Sequence, residues 1–167
     1  MLALILVGCA GVQYASSDNQ KASAKLDSSA SVYIARPANA MYGTKICQGS
    51  GYMVGKIIKK SFSRHLSKVE LSKEAISEKE ALGEAKRGGF TYFIYADVLC
   101  WEDHATEWNG KPDKAEVKMV IFNVSSGNII DSSIVKKTGP WMTVGGHPKD
   151  ILRKPMDKYI SSLFATK

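Results

Sequence analysis

Residues 90–101 (FTYFIYADVLCW) form a run of aromatic, β-branched and apolar side chains interrupted only by Asp97. Such a run reads as a central strand. A central strand needs a neighbour on each side, and the chain supplies the two sides differently. Downstream, residues 116–124 alternate as a strand, Ser125-Ser126-Gly127-Asn128 has turn chemistry, and residues 129–137 complete a hairpin. Upstream, the strand 31–35 (SVYIA) stops at Arg36-Pro37. Tyr52, Val54, Ile57, Ile58, Phe62 and Leu66 then recur at helical spacing, which predicts an amphipathic helix over 50–66. A second short strand follows at 68–71, and Ser77-x-x-Glu80 is a capping box for a helix ending at Gly88-Gly89.

A last helix is predicted from Ile151, Leu152, Met156, Tyr159, Ile160, Leu163 and Phe164, with an irregular first turn or a kink at Pro155. The order is β-α-β-α-β-β-β-α. Helix-linked strands followed by a hairpin imply an α/β (α+β) fold, a single mixed β-sheet packed by helices. With 167 residues, 44% of them apolar, the chain suits one domain whose core needs neither metal nor disulfide. No apolar run reaches the roughly 18 to 20 residues of a spanning helix.

The first eleven residues, MLALILVGCAG, carry a different message. Leu6-Val7-Gly8-Cys9 resembles the lipobox of bacterial lipoproteins, in which the peptidase cuts before the Cys. The resemblance implies a diacylglycerol on the Cys9 thiol and an acyl chain on the new amine. Several acyl chains anchor stably where one is marginal. Residues 1–8 then read as the truncated end of a type II signal segment. Residues 9–30 read as a lipidated Cys and flexible tether, rich in Ser, Ala, Asn, Gln and Lys. Residues 31–167 are the single α/β domain. Ala10, where an Asp retains lipoproteins at the inner membrane, resembles the outer-membrane sorting pattern, which in a two-membrane host implies an anchor in the outer membrane, facing the periplasm.

The block EALGEAKRGGFTYFIYADV and the hairpin VKMVIFNVSSGNIIDSS are similar to the α/β domain shared by envelope lipoproteins. That domain occurs at the N-terminus of the Tol-Pal translocation protein B and in activator lipoproteins of penicillin-binding proteins. The segment TEWNGKPDKAEVKMVIFNVSSGNII resembles an uncharacterised family of bacterial lipoproteins known only as a domain of unknown function. The resemblance covers most of residues 31–165. It implies fold and location, and it carries no catalytic residues to transfer.

Cys47 and Cys100 remain after Cys9. In an oxidising compartment they are candidates for a bridge, with two buried thiols, or a Cys47 thiolate favoured by the following helix, as alternatives. If the central strand continues, Cys100, Glu102 and His104 face one way, and Trp101 and Asp103 the other. Thiol, carboxylate and imidazole on one face suit a metal, yet neither CxxC nor HExxH occurs, so no metal site and no cofactor are expected. His65 and His147 have nothing in sequence tying them to this segment. The GxSxG elbow and the Walker loop are also absent, and Gly49, Gly51 and Gly55 give GxGxxxG, which helix packing explains as well as a phosphate cradle.

Lys and Arg total 23 against 16 Asp and Glu, a net charge of +7. Lys56, Lys59, Lys60 and Arg64 lie along one helix face, which is either simply solvated or drawn to anionic lipid headgroups. No nucleic-acid-binding motif accompanies the charge, so no nucleic-acid partner is expected. The sequence therefore points to a lipid-anchored envelope module that binds or assembles and performs no catalysis, with the membrane and another envelope protein as partners. Its expected contact surface is Trp101, Glu102, Asp103, His104, Trp108 and Trp141. The alternatives are an envelope metal- or thiol-dependent hydrolase using Cys100, Glu102 and His104, and a cytoplasmic basic binding domain with a spurious lipobox.

Overall fold

The computed structural model describes residues 25–104, 111–140 and 147–164. Cys9, Trp108 and Trp141 lie outside the described residues. The elements are β1 (Ser31–Arg36), β2 (Met41–Tyr42), β3 (Lys45–Ile46), α1 (Ser50–Phe62), β4 (Lys68–Ala75), α2 (Glu78–Arg87), β5 (Tyr92–Glu102), β6 (Lys114–Asn123), β7 (Ile129–Thr138) and α3 (Pro148–Ser162). Apart from the β2–β3 ribbon, this is the order expected from sequence.

The main sheet runs β4-β1-β5-β6-β7. β1 is parallel to both β4 and β5, and β6 and β7 are antiparallel additions. The connection through α1 steps outward from β1 to β4, and the one through α2 steps back across β1 to β5. Two crossovers of the same hand in opposite directions put their helices on opposite faces. Accordingly α1 packs with α3 on one face around Val32, Ile34, Ile94, Met119 and Ile121. On the other face, Ala81 and Ala85 of α2 pack on Tyr33, Phe93 and Phe122.

Local chemistry sets the boundaries. The Ser77 side chain accepts the Glu80 amide at 3.3 Å, closing the N-terminus of α2. The β6–β7 turn is held by Asn123 Oδ1, which accepts the amides of Ser125 and Ser126. Gly127 there takes φ 72°, a conformation only glycine adopts without cost. α3 begins at Pro148, ahead of the expected start, with the proline near its N-terminus, and it continues through the buried Pro155.

Two expectations need correcting. The helix α1 stops at Phe62, and Tyr52 is off its buried face. Residue 52 lies about 200° around the helix from residue 54, so the two cannot share a stripe. The buried face is Val54, Ile57, Ile58 and Phe62 with the small residues Ser50, Gly51, Gly55 and Ser61. Small residues let α1 approach the sheet closely, and a count of apolar side chains misses them.

The packed body starts upstream of β1. Leu26 is buried in the larger cluster, and its amide donates to Leu163 O at 2.6 Å. Lys25 Nζ donates to the carbonyls of Ser162 (2.6 Å) and Phe164 (3.2 Å). These carbonyls at the end of α3 are groups a cation satisfies well.

Candidate functional site

The side chains singled out by sequence gather where β5 ends and β6 begins. A register shift in β5 between Val98 and Cys100 decides which way they point. Val98 opposes Val117, and after the shift Trp101 opposes Ala115. The bulge returns Trp101 to the face that Val98 occupies, and Trp101 is buried in the larger cluster. Without the extra residue, positions 98 and 101 would point to opposite faces. Trp101 therefore belongs to the core at this end of the sheet.

Cys100, Glu102 and His104 do line up as the alternation predicted. Cys100 Sγ donates to Glu102 Oε1 at 3.5 Å, and Glu102 Oε2 meets His104 Nε2 at 3.0 Å. Lys114, cross-strand from Glu102, reaches the same oxygen at 3.6 Å. The His104 amide donates to Asp113 Oδ1 at 2.6 Å. On the other side Asp103 faces His147 at the N-terminus of α3, both carboxylate oxygens lying 3.3 Å from Nδ1. Sequence left His147 unconnected because 44 residues separate it from Asp103.

This order of groups is wrong for an activated thiol. A nucleophilic Cys needs the base against its sulfur, whereas here the carboxylate sits between thiol and imidazole. Burial, followed by the Glu102 contact, raises the Cys100 pKa and keeps the sulfur protonated. Among the described residues no group of three His, Cys, Asp or Glu side chains is placed to hold a metal ion. The cluster instead ties the last residues of β5 to Lys114 of β6, to Asp113 just before it and to His147 at the start of α3.

Cys47 and Cys100 are both free thiols, so the bridge considered from sequence is not formed. β1 and β5 are parallel neighbours, which does bring the two cysteines to one end of the sheet. They stand on opposite faces, however. Cys47 packs against the larger cluster and donates its thiol to Trp101 O at 3.4 Å, while Cys100 turns to Glu102.

The Glu102 carboxyl is held below its ordinary value of 4.5, first by the His104 hydrogen bond and then by Cys100 and Lys114. A carboxyl depressed in the folded state adds stability above its unfolded pKa, and that stability is lost as pH falls through the folded value. Glu102→Gln is therefore expected to flatten the loss of stability below about pH 4.5 in urea titrations. A variant as acid-sensitive as the parent would contradict this role.

The cationic stripe is divided. Arg64 pairs with Asp157 of α3 at 2.7 Å, and Asp157 also accepts the Ser61 hydroxyl at 2.5 Å. Lys56 lies over the Tyr52 ring, 5.4 Å from its centroid, and Lys59 and Lys60 are exposed in the last turn of α1. The glycines of the GxGxxxG stretch serve packing. A Cβ on Gly51 would meet the Pro37 carbonyl oxygen at 2.1 Å, and one on Gly55 would meet the Leu71 side chain at 2.9 Å. Sequence reading missed a group of exposed apolar side chains on the ribbon and the first turn of α1.

Among solved structures the chain is similar to the PelC dodecamer from Paraburkholderia phytofirmans. The two are 17% identical over 88% of this chain and 97% of PelC, with a TM-score of 0.71. It is also similar to the hypothetical protein CT253 from Chlamydia trachomatis, 10% identical over 80% of this chain and 94% of that one, TM-score 0.54. Protein XCC0632 from Xanthomonas campestris is 11% identical over 81% of both chains, TM-score 0.52. At these identities the shared property is the fold. No curated protein matches the chain. The family model described as "Domain of unknown function (DUF4823)" matches residues 24–163, in keeping with the resemblance seen in the sequence, and the chain belongs to that family.

Proposed function

We propose that this protein is a lipid-anchored cell-envelope module whose α/β domain acts by binding and assembly, with no catalytic step of its own. The observation that carries the reading is the way the chain enters the domain. Sixteen residue steps after Cys9, Lys25 and Leu26 are fixed to the end of α3 and to the core. A lipid on Cys9 would thus hold a folded body through a rigid point of attachment. Fully extended, the intervening chain spans at most about 55 Å, so the domain stays close to the membrane that holds it. Among the described residues no helix is long and apolar enough to cross a bilayer, and the acyl chains would supply the attachment.

Among the described residues, Cys100 meets the Glu102 carboxylate and not the His104 imidazole, and this supports a binding role over a thiol hydrolase. PelC, which has the same fold, is a dodecamer, and this supports assembly as the mode of action. In this reading the polar end of the sheet, Glu102, Asp103 and His104, together with Trp108 and Trp141, faces a second envelope protein, and the anchor sits in the outer membrane facing the periplasm. The test is the intact mass of the protein purified from its native host. A chain beginning at Cys9 and carrying acyl mass is expected.

A further inference from the structure

Five of the large apolar side chains most open to solvent lie within thirteen residues: Met41 (62% exposed), Tyr42 (55%), Ile46 (48%), Tyr52 (50%) and Met53 (38%). The first three stand on the β2–β3 ribbon, where Met41 opposes Ile46, and the other two on the first turn of α1. Ribbon and helix are stitched into one unit. The buried Ser50 hydroxyl accepts the Ala40 amide at 2.8 Å, Cys47 N donates to Ala40 O at 2.8 Å, and Gly51 N donates to Asn39 Oδ1 at 3.1 Å. The apolar tip is therefore preformed and does not fold away into the core.

The charge around it has one sign. From Ser28 to Val69 the chain contains no Asp or Glu, yet it carries seven Lys and Arg residues. Lys45 stands on the ribbon itself, opposite Tyr42, and Lys56 lies over Tyr52. Lys59 and Lys60 follow along α1. Among the described residues, the acid paired with a cation of α1 is Asp157 of α3, and it engages Arg64 at the far end of the helix.

We infer that the β2–β3 ribbon and the exposed face of α1 form a wedge that docks on an anionic bilayer surface. Tyrosine rings settle at headgroup level, the Met and Ile side chains enter the acyl boundary, and lysines keep their ammonium groups on the phosphates. An anionic membrane surface attracts such a cluster over a Debye length. A second copy of the chain fits worse, because an isologous contact would set the same acid-free segment against itself. The inference rests on the envelope reading only in placing a membrane within reach. The chain joins the domain near Phe164 and His65, at the other end of α1, about 20 Å from the wedge, and the tether covers that distance.

The test uses the full chain with Cys9→Ser, so that no acyl chain contributes. Vesicles of phosphatidylethanolamine with phosphatidylglycerol should sediment the protein, with binding at least about tenfold weaker to phosphatidylcholine vesicles and weakened by salt. Tyr42→Ser with Tyr52→Ser should abolish that binding while leaving the melting temperature in place, since both rings are exposed. Lys56→Gln with Lys60→Gln should reduce it and weaken its salt dependence. No binding to phosphatidylglycerol vesicles, or binding indifferent to these substitutions, would overturn the wedge. So would salt-sensitive retention on polyglutamate without vesicle binding, which would assign the surface to an acidic macromolecule. Because the anchor is absent from this experiment, a negative result leaves the Cys9 reading to be decided by mass alone.

Discussion

Gly51→Ala is expected to lower the stability of the domain by about 3 kcal/mol, the upper end of the range for overpacking. The added methyl would sit 2.1 Å from Pro37 O, 2.7 Å from Ala38 O and 2.8 Å from Ala38 C. All three are backbone atoms, so no rotamer change relieves the clash. The first turn of α1 would have to back away from the loop leaving β1. That movement breaks the Asn39 and Ser50 hydrogen bonds and draws Val54 and Ile58 off the sheet. Gly55→Ala provides the comparison, because its methyl meets Leu71 Cδ1, the tip of a side chain that can turn aside. Its cost should be about 1 to 2 kcal/mol. Urea denaturation of the two variants checks the order, and equal costs would contradict the close approach at Gly51.

Phe62→Ala should cost about 3 to 5 kcal/mol, the range for removing a fully buried aromatic ring. Phe62 has no exposed surface and meets Phe164 edge-on, with ring centroids 6.3 Å apart. Phe164 stacks in turn on His65 at 4.6 Å, and its carbonyl takes the Lys25 ammonium. The cavity would therefore open where α1, the end of α3 and the incoming chain meet. Beyond the global loss, hydrogen exchange at the Leu26 amide should accelerate more than at the amides of β6, which pair on both sides. A loss under about 1 kcal/mol would mean that the site collapses around the missing ring.

The two periods of the sequence made most of the architecture legible. Strand-like and helix-like runs appear in the right order because each element is long enough to show a face, and Ser77 and Gly127 mark ends by chemistry that acts within a few residues. The β2–β3 ribbon was illegible for the opposite reason. Two residues per strand cannot display a period, and all four side chains are exposed. Tyr52 was misplaced because the stripe that α1 buries is made partly of Gly and Ser, whose burial hydropathy does not signal. At the polar end of the sheet, the facing of Cys100, Glu102 and His104 followed from alternation alone. The return of Trp101 to the core face depends on a bulge, and the contact between Asp103 and His147 depends on where α3 begins. Both are set by tertiary packing.

Lipid on Cys9 is the claim on which the envelope reading stands, and intact mass of the protein from its native host, before and after alkylation in denaturant, tests it most directly. The expected product begins at Cys9, carries a diacylglycerol and a further acyl chain, and takes up two alkyl groups, one each on Cys47 and Cys100. A protein whose Cys9 carries no lipid and takes up a third alkyl group would contradict the anchored reading and leave a basic binding domain that reaches its partner by another route.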